Sequence, residues 1–258
     1  MNLSEFKRSP FMYAVLLLML VGFATFSVFP IINAVTAKET TNSVNQGYQE
    51  ELNDRAKGYQ LVLAREPQNE TALQGLLEIR LKQRDLEAAV TPLETLATLH
   101  PDFTEYSILL AQTKQQLADY EGAKVVYQRL LNQNPSDLQA LQGMINLLLP
   151  LDESETAINL IQKTLSTNKL TGDNLIGVQL LLGQVYALSD RYNEAIAIYD
   201  QMIVANQQDF RPLVAKAIVL RNQGDTQTPQ DLFTQALSIA PAQYQEQIQE
   251  LANLRISE

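Results

Sequence analysis

Three evenly spaced prolines constrain the fold of this chain more than any other feature of its sequence. Pro67, Pro101 and Pro135 each follow an amphipathic run, and 34 residues separate each of these prolines from the next. Because proline lacks the amide hydrogen that a helix interior needs, each one predicts the end of a helix and a turn. A fixed internal period of this length predicts a pair of helices that recurs and stacks on its own copies.

The residues at matched positions of the period support this interpretation. With proline as the 32nd position, successive units start at Glu70, Thr104, Leu138, Ile176 and Phe210. At position 20, where two helices approach closely, the first four units have a small side chain and the fifth has proline: Ala89, Ala123, Ala157, Ala195 and Pro229. Position 24 holds a large apolar residue in each unit: Leu93, Tyr127, Ile161, Tyr199 and Phe233.

This pattern resembles the tetratricopeptide repeat (TPR) family over residues 70–243. The resemblance implies an all-α fold of about five helix-turn-helix repeats, wound into a right-handed superhelix whose concave groove binds protein or peptide partners. The flanking segments are predicted to be a linker with an N-terminal capping helix at 33–69 and a C-terminal capping helix at 244–258.

Two departures from the period carry further expectations. The third unit has Lys169 in place of the closing proline, and four additional residues around "LTGDN" precede the fourth unit. They predict a surface loop or a change of superhelical pitch. Pro150 is expected to end the first helix of the third unit early, and Pro229 to lie in the first turn of a helix capped by Thr228.

The N-terminus reads as a membrane segment, because the chain has no charged side chain from Pro10 to Ala37. A helix over residues 11–32, after a short basic segment at 1–10, would be long enough to cross a bilayer. The alternative is a cleaved secretory signal, since "VTA" before Lys38 offers small residues at the cleavage site. A buried core helix is disfavoured because the segment has no polar face.

Charged residues on either side of this segment predict its orientation. Lys7 and Arg8 precede it and only Lys38 follows closely, which favours a cytoplasmic N-terminus. The repeats would then lie in the periplasm or a lumen, and the chain would be a single-pass protein of the plasma or thylakoid membrane.

The family resemblance also indicates which side chains face the groove, namely positions 2, 5, 9, 12 and 13 of each unit. The candidate partner-binding residues are polar ones at these positions: Gln74, Glu78, Glu105, Gln112, Gln115, Gln116, Gln142, Asn146, Gln184, Arg211, Arg221 and Asn222. Amide side chains both donate and accept hydrogen bonds, so a row of them suits an extended peptide backbone. Equally, glutamine is a good helix former that fills solvated positions.

Composition excludes several other classes of function. A net charge of −10 disfavours nucleic-acid binding, and the absence of cysteine removes thiol chemistry and Cys-ligated zinc. The single histidine, His100, lies beside Pro101 and is read as a turn residue in preference to a general base. No Gly-rich phosphate loop is present, and the acidic residues at 152–155 suit the first turn of a helix. We therefore expect no catalytic residues, metal, cofactor or small-molecule substrate.

Two finer resemblances bear on the partner. TPR domains that grip the C-terminal carboxylate of heat-shock chaperones use lysine and asparagine where this chain has Gln74 and Glu78, so that role is disfavoured. The phrases "ALQGLLEIRLKQRDLEAAVTPLETL" and "LLAQTKQQLADYEGA" resemble membrane-associated TPR proteins of cyanobacteria and chloroplasts, including the plant Slow Green type.

That resemblance implies a membrane-anchored scaffold that supports assembly or maintenance of a thylakoid-type complex. Two alternatives remain open at this point. One is a regulatory repeat subunit of a membrane-bound enzyme, and the other is a secreted or periplasmic TPR adaptor released by signal cleavage.

Overall fold

The computed structural model describes residues 42–167, 170–225 and 227–253, with side chains from residue 47 onward. The membrane helix predicted over residues 11–32 lies outside these ranges. Most of the described residues lie in helices that follow the 34-residue period. Their bounds are α1 Asn42–Leu63, α2 Glu70–Lys82, α3 Leu86–Leu99, α4 Thr104–Gln116, α5 Tyr120–Gln133, α6 Leu138–Leu148, α7 Ser154–Ser166, α8 Gly172–Leu188, α9 Tyr192–Ala205, α10 Arg211–Asn222, α11 Thr228–Ile239 and α12 Ala242–Asn253. Over these described residues, the prediction of an all-α fold of helix-turn-helix repeats is confirmed.

The chain forms two compact units that divide between Glu153 and Ser154. The first unit contains α1 to α6, in which each helix packs against the next. The second contains α7 to α12, again with successive helices in contact.

Side chains at the repeat positions form the core of each unit. In the first unit Ala89, Leu93, Ala123 and Tyr127 are at most 1% exposed. In the second, the matched residues Ala157, Ile161, Ala195, Tyr199 and Phe233 are at most 3% exposed. Removing these apolar side chains from water is what holds each hairpin to its neighbours.

Acidic or amide residues begin most helices of the first unit. Asn69, Asp85, Asp119 and Asp137 are the N-caps of α2, α3, α5 and α6. Each side chain accepts a hydrogen bond from the backbone N–H three residues later, over 2.9 to 3.1 Å. These bonds satisfy donors that have no partner within the helix itself.

Tyrosine rings of one helix lie against glycines of another in both units. A Cβ atom built at Gly143 would lie 2.5 Å from Cζ of Tyr127, and one at Gly183 would lie 2.6 Å from Cζ of Tyr199. Tyr59 of α1 meets Gly75 of α2 in the same way. Tyr59 thus stands where position 24 of a preceding repeat would fall, so α1 packs as the second helix of an incomplete repeat.

The segment between the third and fourth repeats differs from the predicted surface loop. Gly172 to Asn174 form the first turn of α8, which is therefore 17 residues long. Gly172 has φ of 54°, a backbone conformation that glycine adopts without the steric cost other residues incur. The inserted residues lengthen a helix in addition to extending the connection before it.

The two prolines act where the sequence predicts. Helix α6 ends at Leu148, and a short 3₁₀ turn over Leu149–Leu151 contains Pro150. Pro229 lies in the first turn of α11, but Thr228 is the first helical residue and not its cap. The carboxylate of Asp225 accepts the backbone N–H groups of Gln227 and Thr228 at 3.0 and 3.2 Å, and so begins the helix instead.

Within residues 42–167, 170–225 and 227–253, no helix combines the length and the apolar character that a membrane crossing needs.

Candidate protein-binding surface

Five amide side chains of α4 and α6 form the candidate surface of the first unit, which we call the amide row: Gln112, Gln115, Gln116, Gln142 and Asn146. The two helices contact each other directly. Gln112, Gln116 and Asn146 are exposed, and Gln115 and Gln142 are half-buried. No hydrogen bond joins any of the five to another described residue.

Gln142 differs from the other members because its amide nitrogen is buried without an acceptor. Gln184, a predicted groove residue on α8 in the second unit, has a buried Nε2 in the same condition. An unsatisfied buried donor costs roughly 1 to 3 kcal/mol. Because neither nitrogen is accessible in this conformation, the exposed members Gln112, Gln116 and Asn146 are the ones that a ligand can reach directly.

The two predicted groove residues of α2 have partners within the chain. Nε2 of Gln74 donates to the hydroxyl of Tyr106 on α4 over 3.0 Å. Lys82 donates to the carboxylate of Glu78, and this hydrogen bond lowers the pKa of Glu78 and raises the pKa of Lys82. Both glutamate and lysine are largely exposed, so the pair remains within reach of solvent.

The predicted arginines of the second unit make contacts inside the fold. Nε and Nη2 of Arg211 donate to the two carboxylate oxygens of buried Asp209 at 2.9 and 2.8 Å, and Nη2 also reaches Asp173 at 3.2 Å. Nη1 of Arg221 donates to the backbone carbonyl of Leu251 on α12, and its guanidinium lies 5.5 Å from the centre of the Phe233 ring. Burial lowers the pKa of Arg221. These contacts connect α10 to its neighbours, so we leave both arginines out of the proposed binding surface.

Sequence reasoning missed an aromatic group beside Gln74. The rings of Phe103 and His100 lie 5.2 and 6.1 Å from the ring of Tyr106. His100 ends α3, as its place before Pro101 predicts, and its Nε2 lies 3.1 Å from a carboxylate oxygen of Glu70. The available signal was Phe103 itself, which stands where Asn69 and Asp137 stand in the neighbouring repeats.

The amide row offers hydrogen-bond donors and acceptors without charge. Uncharged amides on adjacent helices can donate to and accept from an extended backbone. In the part of the chain that the structure describes, no three His, Asp or Glu side chains are grouped so as to hold a metal ion.

Comparison with known proteins supports the helical-repeat fold. A family model described as a tetratricopeptide repeat matches residues 108–137, which span most of α4 and all of α5. The chain has the tetratricopeptide fold. The chain aligns with the crystal structure of yeast Tom70 over 86% of its own length at 12% identity, with a TM-score of 0.53, and spans 44% of the Tom70 chain.

Two bacterial TPR structures are also similar to this chain. A tetratricopeptide repeat protein from Parabacteroides merdae aligns over 93% of this chain and 98% of its own, at 16% identity and a TM-score of 0.47. A thermophilic TPR protein of Thermus thermophilus aligns over 72% of this chain and 100% of its own, at 19% identity and a TM-score of 0.48. Among curated proteins, none matches this sequence significantly.

Proposed function

We propose that this TPR chain is a scaffold that binds a segment of a partner protein along the amide row. The observation that carries the proposal is that the amides of the row, on two helices in contact, make no hydrogen bond within the described chain. An extended peptide offers both acceptors and donors to these side chains.

The test uses a triple variant of the full chain: Gln112→Ala, Gln116→Ala and Asn146→Ala. Partners would first be captured by a photocrosslinking residue placed at Gln115 and identified, and their dissociation constants then measured. We expect the triple variant to weaken binding at least tenfold, because each lost hydrogen bond contributes roughly 1 kcal/mol. Its helical circular dichroism should equal that of the wild type, since all three side chains are exposed.

A matched control replaces three exposed amide residues of α5: Gln128→Ala, Asn132→Ala and Gln133→Ala. These side chains lie outside the amide row, so the control should bind the partner as the wild type does. Unchanged binding by the row variant, or equal loss in the control, would show that the partner docks elsewhere.

We also propose that residues 11–32 anchor the scaffold in a membrane with the repeats in the periplasm or a lumen. The uncharged run and the basic residues before it support this arrangement. The intact N-terminal peptide should be recovered from alkali-washed membranes, and the repeats should resist protease added from the cytoplasmic side. A mature chain beginning near Lys38 would instead identify a released adaptor.

The likeness to Slow Green-type proteins supports a more specific role for such an anchored scaffold, namely assembly or maintenance of a thylakoid-type membrane complex. Deleting the gene should then lower the amount of one assembled complex while its separate subunits are still synthesised. Normal complex levels in the deletion strain would argue against this role.

A further inference from the structure

Phe103 precedes α4 at a position where three other repeats have a side chain that accepts a backbone N–H, whereas Thr171, the residue directly before α8, makes no such bond. The matched residues Asn69, Asp137 and Asp209 each accept a backbone N–H with their side chains, at 3.0 Å in every case. Phe103 makes no capping hydrogen bond, and half of its side chain is exposed to solvent. Beyond its contact with Tyr106, half of the Phe103 side chain is therefore available to a ligand.

The ring of Phe103 belongs to a group of three that we call the aromatic patch: His100, Phe103 and Tyr106. Tyr106 lies between the other two, with ring centres 5.2 Å from Phe103 and 6.1 Å from His100. Its hydroxyl is held by Nε2 of Gln74. The patch is therefore a positioned surface at the turn between α3 and α4.

One carboxylate contacts this patch and two more are close to Phe103 in sequence. Asp102 and Glu105 flank Phe103 in sequence and make no ion pair with any described residue. Glu70 lies beside His100, with half of its side chain exposed. Over residues 42–153 the chain has nine Lys and Arg against sixteen Asp and Glu, so the potential around the patch attracts cations.

We propose that the aromatic patch binds an arginine or lysine side chain from a basic segment of a partner protein. Cations bind over aromatic faces, and arginine also stacks on them and pairs with carboxylates. Phe103 supplies the exposed ring, and Asp102 and Glu105 supply the opposite charge. This site is additional to the amide row and does not depend on it.

The probe is a fluorescein-labelled peptide of four Gly-Arg repeats, titrated with the full chain in a neutral detergent at low salt and followed by anisotropy. The variant Phe103→Asn removes the ring, keeps the net charge and installs the residue that caps α2. We expect its melting temperature to be equal or higher and its dissociation constant for the peptide to rise about fivefold or more. The double variant Asp102→Asn, Glu105→Gln should weaken binding to a similar extent.

Two controls make the result specific. Val125→Asn replaces another exposed apolar residue, 62% exposed on α5, and should leave binding unchanged. A peptide with citrulline in place of arginine keeps the shape without the charge and should bind at least fivefold more weakly than the arginine peptide.

Equal binding by Phe103→Asn and wild type, or by the citrulline and arginine peptides, would overturn the proposal. Sedimentation provides a second readout: if Phe103→Asn lowers the oligomeric state without affecting the peptide, the patch contacts a second copy of the chain and the proposal is wrong. The amide-row triple variant should still bind the arginine peptide, so failure of one proposed surface is distinguishable from failure of the other.

Discussion

At the residue scale, the contact between Gly143 and Tyr127 shows how little space the repeats leave between helices. The Tyr127 side chain is 1% exposed, and a methyl group at position 143 would lie 2.6 Å from its hydroxyl oxygen. A buried ring cannot move aside without opening a void elsewhere.

We therefore predict that Gly143→Ala destabilises the chain by about 1 to 3 kcal/mol, the usual cost of overpacking a close-packed core. The measurement is the free energy of unfolding in urea, followed by circular dichroism. Gly58→Ala is the matched control, because Gly58 lies inside α1 with nothing within 4 Å of the added methyl group. Alanine is the better helix former by roughly 1 kcal/mol, so the same substitution should stabilise there. If both substitutions change the free energy of unfolding in the same direction, the prediction is wrong.

Single residues also show what could be predicted from the sequence and what could not. The core alanines Ala89 and Ala123 could be predicted because they recur at the repeat spacing, and both are fully buried. Arg211 and Arg221 carry no such signal. Their partners are the side chain of Asp209 and the backbone of Leu251, which only the fold brings near them.

At the scale of the element, helix starts in the first unit depend on capping side chains. Asp137 begins α6 by accepting the backbone N–H of Ala140 over 3.0 Å. Asp137→Ala should lower the free energy of unfolding by about 1 kcal/mol, because the first turn of α6 then has an unsatisfied donor. The measurement is again urea unfolding of the full chain.

Thr171 provides the control for this prediction. It stands at the N-cap of α8 with an exposed side chain that makes no capping hydrogen bond. Thr171→Ala should change stability by less than 0.5 kcal/mol, as surface substitutions usually do. If both alanine variants lose the same stability, the capping bond of Asp137 is not the cause.

The prolines predicted where helices end, whereas the 34-residue period did not predict where one helix begins. Pro67, Pro101 and Pro135 each lie in the turn that follows a helix, because proline has no amide hydrogen to continue the helix. The residues 172–174 departed from the 34-residue spacing and so suggested a loop. Gly172 instead supplies the positive φ at which α8 begins, a conformational role that the repeat pattern does not encode.

At the scale of the whole molecule, the contacts within each unit are short-range along the chain. Helices touch their immediate neighbours or, as for α4 with α6 and α8 with α10, the next helix but one. Stability in such a chain is approximately a sum of local terms. A substitution at one end of the chain should therefore change stability only in the helices near it.

Arg221 allows this to be tested at the last helix. Its guanidinium donates to the carbonyl of Leu251, while Ile248 and Leu251 hold α12 by apolar packing. Arg221→Met keeps the aliphatic volume and removes the charged hydrogen bond, which contributes roughly 1.5 to 3 kcal/mol. Amide hydrogen exchange within α12 should then accelerate about tenfold or more, with exchange in α1 to α6 unchanged.

The control for this variant is Lys216→Met on the same helix. Lys216 pairs with Asp200, whose side chain is half exposed, and a surface ion pair of this kind contributes at most about 1 kcal/mol. Exchange in α12 should therefore remain close to that of the wild type.

Faster exchange throughout α1 to α6 in Arg221→Met would mean that the chain unfolds as one cooperative body and that the additive description is wrong. Acceleration confined to α12 would show that the capping helix opens alone, because its attachment depends on one half-buried arginine and a small apolar contact.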